Sequence, residues 1–116
     1  MIRTSWGSPA IPGVQTRLAF MLGYSPDVRN LGVIEQENLL YEDIVQGNFL
    51  DTYKNLTYKT VMGHMWVSNF CSQAEFVVKA DDDIYIDLYG VYTVARRYVM
   101  DQVKPRQAGK DNFISC

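Results

Sequence analysis

The chain has 116 residues, 47% of them hydrophobic and 13% aromatic, and carries a formal net charge of −2 from 11 basic and 13 acidic side chains. These proportions describe one globular domain with a modest core rather than a disordered chain. The mixed charges leave no basic stripe for nucleic acid and no charged tail for a polyanion or membrane surface. No apolar run approaches the roughly 20 residues of a membrane span, and Ile2-Arg3-Thr4-Ser5 after Met1 lacks the apolar region of a leader.

In chain order, residues 17–22 (RLAFML) read as a buried strand, ended by the turn-forming Gly23 and Ser25-Pro26-Asp27. Residues 31–42 set Ile34, Leu39, Leu40 and Tyr41 among acidic and amide residues, which predicts a short helix. Asp43-Ile44-Val45-Gln46 predicts a second strand, broken by Gly47-Asn48. From Thr52 to Phe70 the residues Leu56, Thr60, Gly63, Val67 and Phe70 recur at spacings of four, three, four and three, with Met62 and Trp66 on the adjoining stripe. That is a helix with a broad buried face. Residues 75–80 (EFVVKA) have the continuous apolar character of a parallel-sheet strand, and Ile84-Tyr85-Ile86 predicts another. A last helix over residues 89–103 directs Val91, Val94, Ala95, Tyr98 and Val99 inward, with Arg96, Arg97 and Asp101 outward. Strands alternating with helices predict an open α/β sheet, in one domain over residues 1–116.

Asp81-Asp82-Asp83 follows the predicted strand at its carboxyl end, where open α/β sheets place their ligands. In extended or gently turned backbone Asp81 and Asp83 point to one side and Asp82 to the other. Two convergent carboxylates make a hard oxygen site suited to Mg²⁺ or Mn²⁺ when phosphate oxygens supply further ligands. Such an ion removes the like-charge repulsion and holds a diphosphate leaving group. Without an ion, the same triplet is a solvated turn or a helix cap, the commoner use of such a pattern. Lys79 either adds positive charge there or faces solvent. No G-x-x-x-x-G-K-[ST] or G-x-G-x-x-G loop occurs, His64 has no partner at ligand spacing, and no serine–histidine arrangement stands out. Cys71 and Cys116 allow one bridge, while Cys71 fits equally well as a buried residue at a helix end.

Several blocks in order carry a resemblance. Arg3-Thr4-Ser5-Trp6-Gly7 fits R-x-[TS]-W-G, and residues 37–44 (ENLLYEDI) fit E-x-x-x-Y-x-D-I. Residues 49–60 (FLDTYKNLTYKT) and 79–87 (KADDDIYID) follow at the expected spacing. Together they resemble the β-1,3-galactosyltransferase family of inverting glycosyltransferases, which includes β-1,3-N-acetylglucosaminyltransferases. That family often has asparagine at the position of Asp87.

The resemblance implies a partial GT-A fold, a Rossmann-like and mostly parallel sheet with flanking helices that binds a nucleotide sugar. It implies Asp83 as the direct ligand of Mn²⁺ (or Mg²⁺), with Asp81 toward the ribose or a metal-bound water and Asp82 orienting the nucleotide. Arg3 is expected at the nucleotide end and Asp43 beside the nucleotide pocket. The implied donors are UDP-galactose or UDP-N-acetylglucosamine, and the acceptor is a glycan on a glycoprotein or glycolipid. The base that deprotonates the acceptor is expected beyond residue 116, so residues 1–116 read as the donor-binding half without the leading strand and the acceptor half. The parent is expected in the Golgi membrane, facing the lumen, and this fragment alone is expected to be inactive. Asn55-Leu56-Thr57 fits a glycosylation acceptor, although Leu56 belongs to the predicted apolar face. Two alternatives remain: a Mg²⁺-dependent phosphoryl- or nucleotidyl-transfer domain, and an inactive α/β nucleotide-binding module.

Overall fold

The structure, a computed structural model, describes residues 2–7 and 11–102. They divide between two compact units, one spanning Leu18–Ser72 and the other drawn from the segments before and after it.

Leu18–Ser72 is a β-α-β-α unit. Strand β1 (Phe20–Tyr24) runs parallel to β2 (Ile44–Leu50). Parallel neighbours need a crossover, and helix α1 (Val28–Tyr41) supplies it. A short 3-10 turn, Tyr53–Asn55, then leads into α2 (Leu56–Phe70). The alternation of β2 sends neighbouring residues to opposite faces of the sheet. Ile44 and Gln46 share a cavity of about 290 Å³ with Leu31, Ile34 and Asn38 of α1. Gly47 faces the other way, where a Cβ would meet Met62 Sδ of α2 at 2.5 Å and the Phe49 ring. The two helices therefore cover opposite faces of the pair.

The first helix starts at Asp27, whose carboxylate accepts the Arg29 amide hydrogen at 3.0 Å and caps it. It ends at Glu42, a non-glycine residue in the left-handed region (φ 52°), whose N–H donates to the Asn38 carbonyl. Asn38 Oδ1 in turn accepts from Ile44 N–H at 3.1 Å, tying the helix end to the start of β2.

The α/β class and the parallel pairing match the sequence reading, and several details differ. The first strand begins three residues later than predicted, because the ladder opens where Phe20 N–H donates to the Asp43 carbonyl at 2.7 Å. Gly47-Asn48 does not break β2. Phe20, Met21 and Leu22 pair with Ile44, Val45 and Gln46, but Tyr24 pairs with Leu50, so β2 takes up extra residues opposite Gly23. That is a bulge inside a continuing strand, and glycine serves it because a side chain would collide. In α2, Thr60, Met62, Gly63, Trp66 and Val67 are half-buried as predicted, whereas Leu56 and Phe70 are 46% and 69% exposed.

In the other unit, residues 75–80 and 84–86 form no strand among the described residues. An apolar run becomes a strand only when a neighbour accepts its backbone bonds, and Val77 and Val78 stand 54% and 45% exposed. Helix α3 (Leu88–Gln102) forms as predicted but is turned about its axis. Val94 and Tyr98 are exposed, and the half-buried stripe runs through Leu88, Tyr92, Ala95, Arg96 and Val99. Tyr92 meets Phe76 edge-on at 6.4 Å. Arg96, expected outward, donates from Nη1 to the Tyr92 hydroxyl at 2.6 Å. Apolar residues occur around most of this helix, so their spacing alone does not choose a face.

Candidate functional site

The carboxyl ends of β1 and β2 form the edge at which a parallel α/β unit receives ligands. Here Asp51 is the joint. Its N–H continues the ladder to the Tyr24 carbonyl at 2.9 Å, Oδ2 accepts from Gly23 N–H at 2.8 Å, and Oδ1 accepts from Lys59 Nζ of α2 at 2.6 Å. Gly23 itself is buried, and a Cβ there would lie 2.7 Å from the Phe49 carbonyl oxygen and 2.9 Å from Asp51 N and Cα. These obstacles are backbone atoms, so the close approach requires glycine. Burial raises the carboxyl pKa of Asp51, but the Lys59 bond, the Gly23 amide and the Lys59 charge outweigh it and leave the pKa below its ordinary value. Beside the joint, Leu22, Gly23, Ser25, Asn30, Val33, Ile34 and Asp51 line an open surface depression of about 180 Å³.

In the other unit, Asp81, Asp82 and Asp83 are all exposed, with Asp82 and Asp83 in a turn. Lys79 Nζ stands 3.5 Å from Asp81 Oδ1, with the two side chains 59% and 75% exposed, a geometry worth little to stability. Among the described residues, no three acidic, histidine or cysteine side chains gather into a cation cage. The donor set fits a different kind of site, in which Mg²⁺ or Mn²⁺ takes one or two carboxylates and completes its shell with water and phosphate oxygens. Asp87 is not part of such a set. Its Oδ1 accepts from Gly90 N–H at 3.0 Å and caps α3.

Arg3 lies in the short 3-10 turn Ile2–Thr4, half-buried, in the same unit as the three aspartates. Asp43 belongs to Leu18–Ser72, half-buried just before β2, where its carbonyl starts the ladder.

A family description for galactosyltransferases matches residues 1–112. The chain belongs to the galactosyltransferase family. It is 40% identical over 88 residues to beta-1,3-galactosyltransferase 1 of mouse and of human, and 42% identical over 88 residues to beta-1,3-galactosyltransferase 5 of chimpanzee. These matches cover 75% of this chain but only 27% of the first two relatives and 30% of the third. No solved structure matches it.

Within this family member, the role of Asp51 and Lys59 escaped the residue-by-residue reading, although both stand in the block at residues 49–60. Asp51 follows a strand and Lys59 lies on a helix, so no single period relates them and only the folded chain brings them together. Asn55 is committed locally, since its Nδ2 donates to the Leu50 carbonyl at 2.8 Å. His64 is an exposed helix residue. Cys71 is buried, 4% exposed, at the end of α2, and the one bridge that the two cysteines allow would involve Cys116, which lies outside the described residues.

Proposed function

We propose that this chain carries the donor-binding part of a β-1,3-galactosyltransferase. The whole protein, in this reading, transfers galactose or N-acetylglucosamine from a UDP-sugar to a glycan of a glycoprotein or glycolipid, with inversion at the anomeric carbon. The observation that carries the proposal is the family match over residues 1–112, which takes in the exposed Asp81–Asp83 turn. The same match favours sugar transfer over phosphoryl or nucleotidyl transfer.

Asp83 and Asp81 are the residues that would hold Mn²⁺ or Mg²⁺. When bound, such a cation supplies positive charge to the diphosphate as the sugar departs. Asp82 orients the nucleotide, Arg3 serves its base end, and Asp43 borders its pocket. Deprotonation of the acceptor hydroxyl falls to a carboxylate outside residues 1–116. The whole protein works at the lumenal face of Golgi membranes.

Calorimetric titration of the 116-residue chain with UDP, with and without Mn²⁺, tests the donor site. Metal-dependent binding that Asp83→Ala abolishes is the expected result. A folded chain that takes no UDP in either condition would overturn it.

A further inference from the structure

Lys79 stands two residues ahead of Asp81, in the unit that holds the aspartate triplet. Its ammonium and the Asp81 carboxylate meet on one side of the chain, Nζ 3.5 Å from Oδ1. Both side chains are mostly exposed, so the contact lies open to water and is easily given up. Among the described residues, Asp82 and Asp83 have no ion pair.

The proposed ligands bring a problem of charge. Three carboxylates repel a diphosphate, and one divalent cation offsets only two of their charges. A site that takes both ions needs positive charge of its own beside the triplet. Lysine suits that use, because its ammonium is a compact charge on a flexible stem, with three donors for phosphate oxygens. Arg96, the half-buried cation of α3, is hydrogen-bonded to the Tyr92 hydroxyl instead.

We propose that Lys79 is a diphosphate-contacting residue of the donor site, paired with Asp81 in the free chain and turned to the phosphate oxygens in the complex. The inference rests on the donor reading above and adds to it a residue outside the triplet. It carries a signature of its own. Without nucleotide, the ammonium competes with a cation for Asp81, so Lys79 opposes metal binding. With UDP present, the same charge favours the complex. A residue that only supported the fold would shift both affinities in one direction.

The test measures the affinity for Mn²⁺ alone, through the paramagnetic resonance of the unbound ion, and for UDP in saturating Mn²⁺, by calorimetry. Wild type is compared with Lys79→Met, Lys79→Gln, Lys79→Arg and Arg97→Met, the last removing an exposed charge of α3 as a control. Both neutral Lys79 variants are expected to bind Mn²⁺ about threefold more tightly and UDP about tenfold more weakly. Lys79→Arg should keep most of the UDP affinity, and Arg97→Met should match wild type. Folded neutral variants that bind UDP as tightly as wild type would overturn the inference and leave the donor reading intact. Weaker binding of Mn²⁺ and UDP together would also overturn it, as would an equal loss of UDP in Arg97→Met. A folded wild-type chain that takes no UDP would overturn both readings. Should Lys79→Met fail to fold, Lys79→Gln decides the matter.

Discussion

The two acid-bearing regions of this molecule are built in opposite ways. At the end of β2, one aspartate is engaged through its backbone and both carboxylate oxygens, to Tyr24, Gly23 and Lys59. At residues 81–83, three aspartates lie exposed in and beside a turn, with a 3.5 Å approach from Lys79 as the ion pair there. A carboxylate that holds the fold has each of its oxygens already engaged by the protein. A carboxylate kept in solvent retains lone pairs for a ligand. The contrast separates supporting from receiving residues without reference to which of them is more acidic.

The sharpest way to break the supporting region is Gly23→Ala. The new methyl meets backbone rather than a side chain that can swing aside, so the substitution should cost about 3 kcal/mol in chemical denaturation. An equivalent loss from alanine in place of Asp83, which touches nothing that requires it, would erase the distinction. Next in size is Asp51→Ala, expected to cost about 2 kcal/mol by removing the partner of the buried Gly23 amide and of Lys59. Its pH dependence sharpens the point. The folded pKa of Asp51 is depressed, so its stabilisation is complete above the unfolded value of about 3.9 and disappears as pH falls below it. Wild type and Asp51→Asn should therefore converge in stability under acid, as followed by circular dichroism, and run parallel from pH 5 to 8.

Smaller effects test the helices. Asp87→Ala removes the cap on Gly90 N–H and should cost about 1 kcal/mol. If Asp87 instead served the ligand, its loss would leave the melting temperature unchanged and weaken UDP. Gly63→Ala should stabilise α2 by about 0.5–1 kcal/mol, because the added methyl meets Met21 Cγ at an ordinary 3.7 Å and gains helix propensity.

How far these regions could be read in the sequence follows from the range of the forces involved. Helix α2 was legible because Thr60, Gly63 and Val67 repeat along one face within a single segment. The aspartate triplet was legible as composition alone. The strand predicted at residues 75–80 was not delivered, because a ladder depends on a neighbour that no local pattern specifies. Gly47 misled for a related reason: as a breaker it predicts an end, whereas the crowding of Met62 and Phe49 makes it a bulge residue inside β2. The Asp51–Lys59 joint was silent, since its geometry exists only once a strand end and a helix have met.

Hydrogen exchange of the 116-residue chain, read amide by amide, tests the division between supporting and receiving carboxylates most directly. The Gly23 amide should be protected with or without ligand. The amides of Asp82 and Asp83 should exchange rapidly in the free chain and slow when UDP and Mn²⁺ are added together. Amides at Asp82 and Asp83 that remain fast in saturating UDP and Mn²⁺, on a chain whose Gly23 amide is protected, would contradict the assignment of that turn as the receiving site.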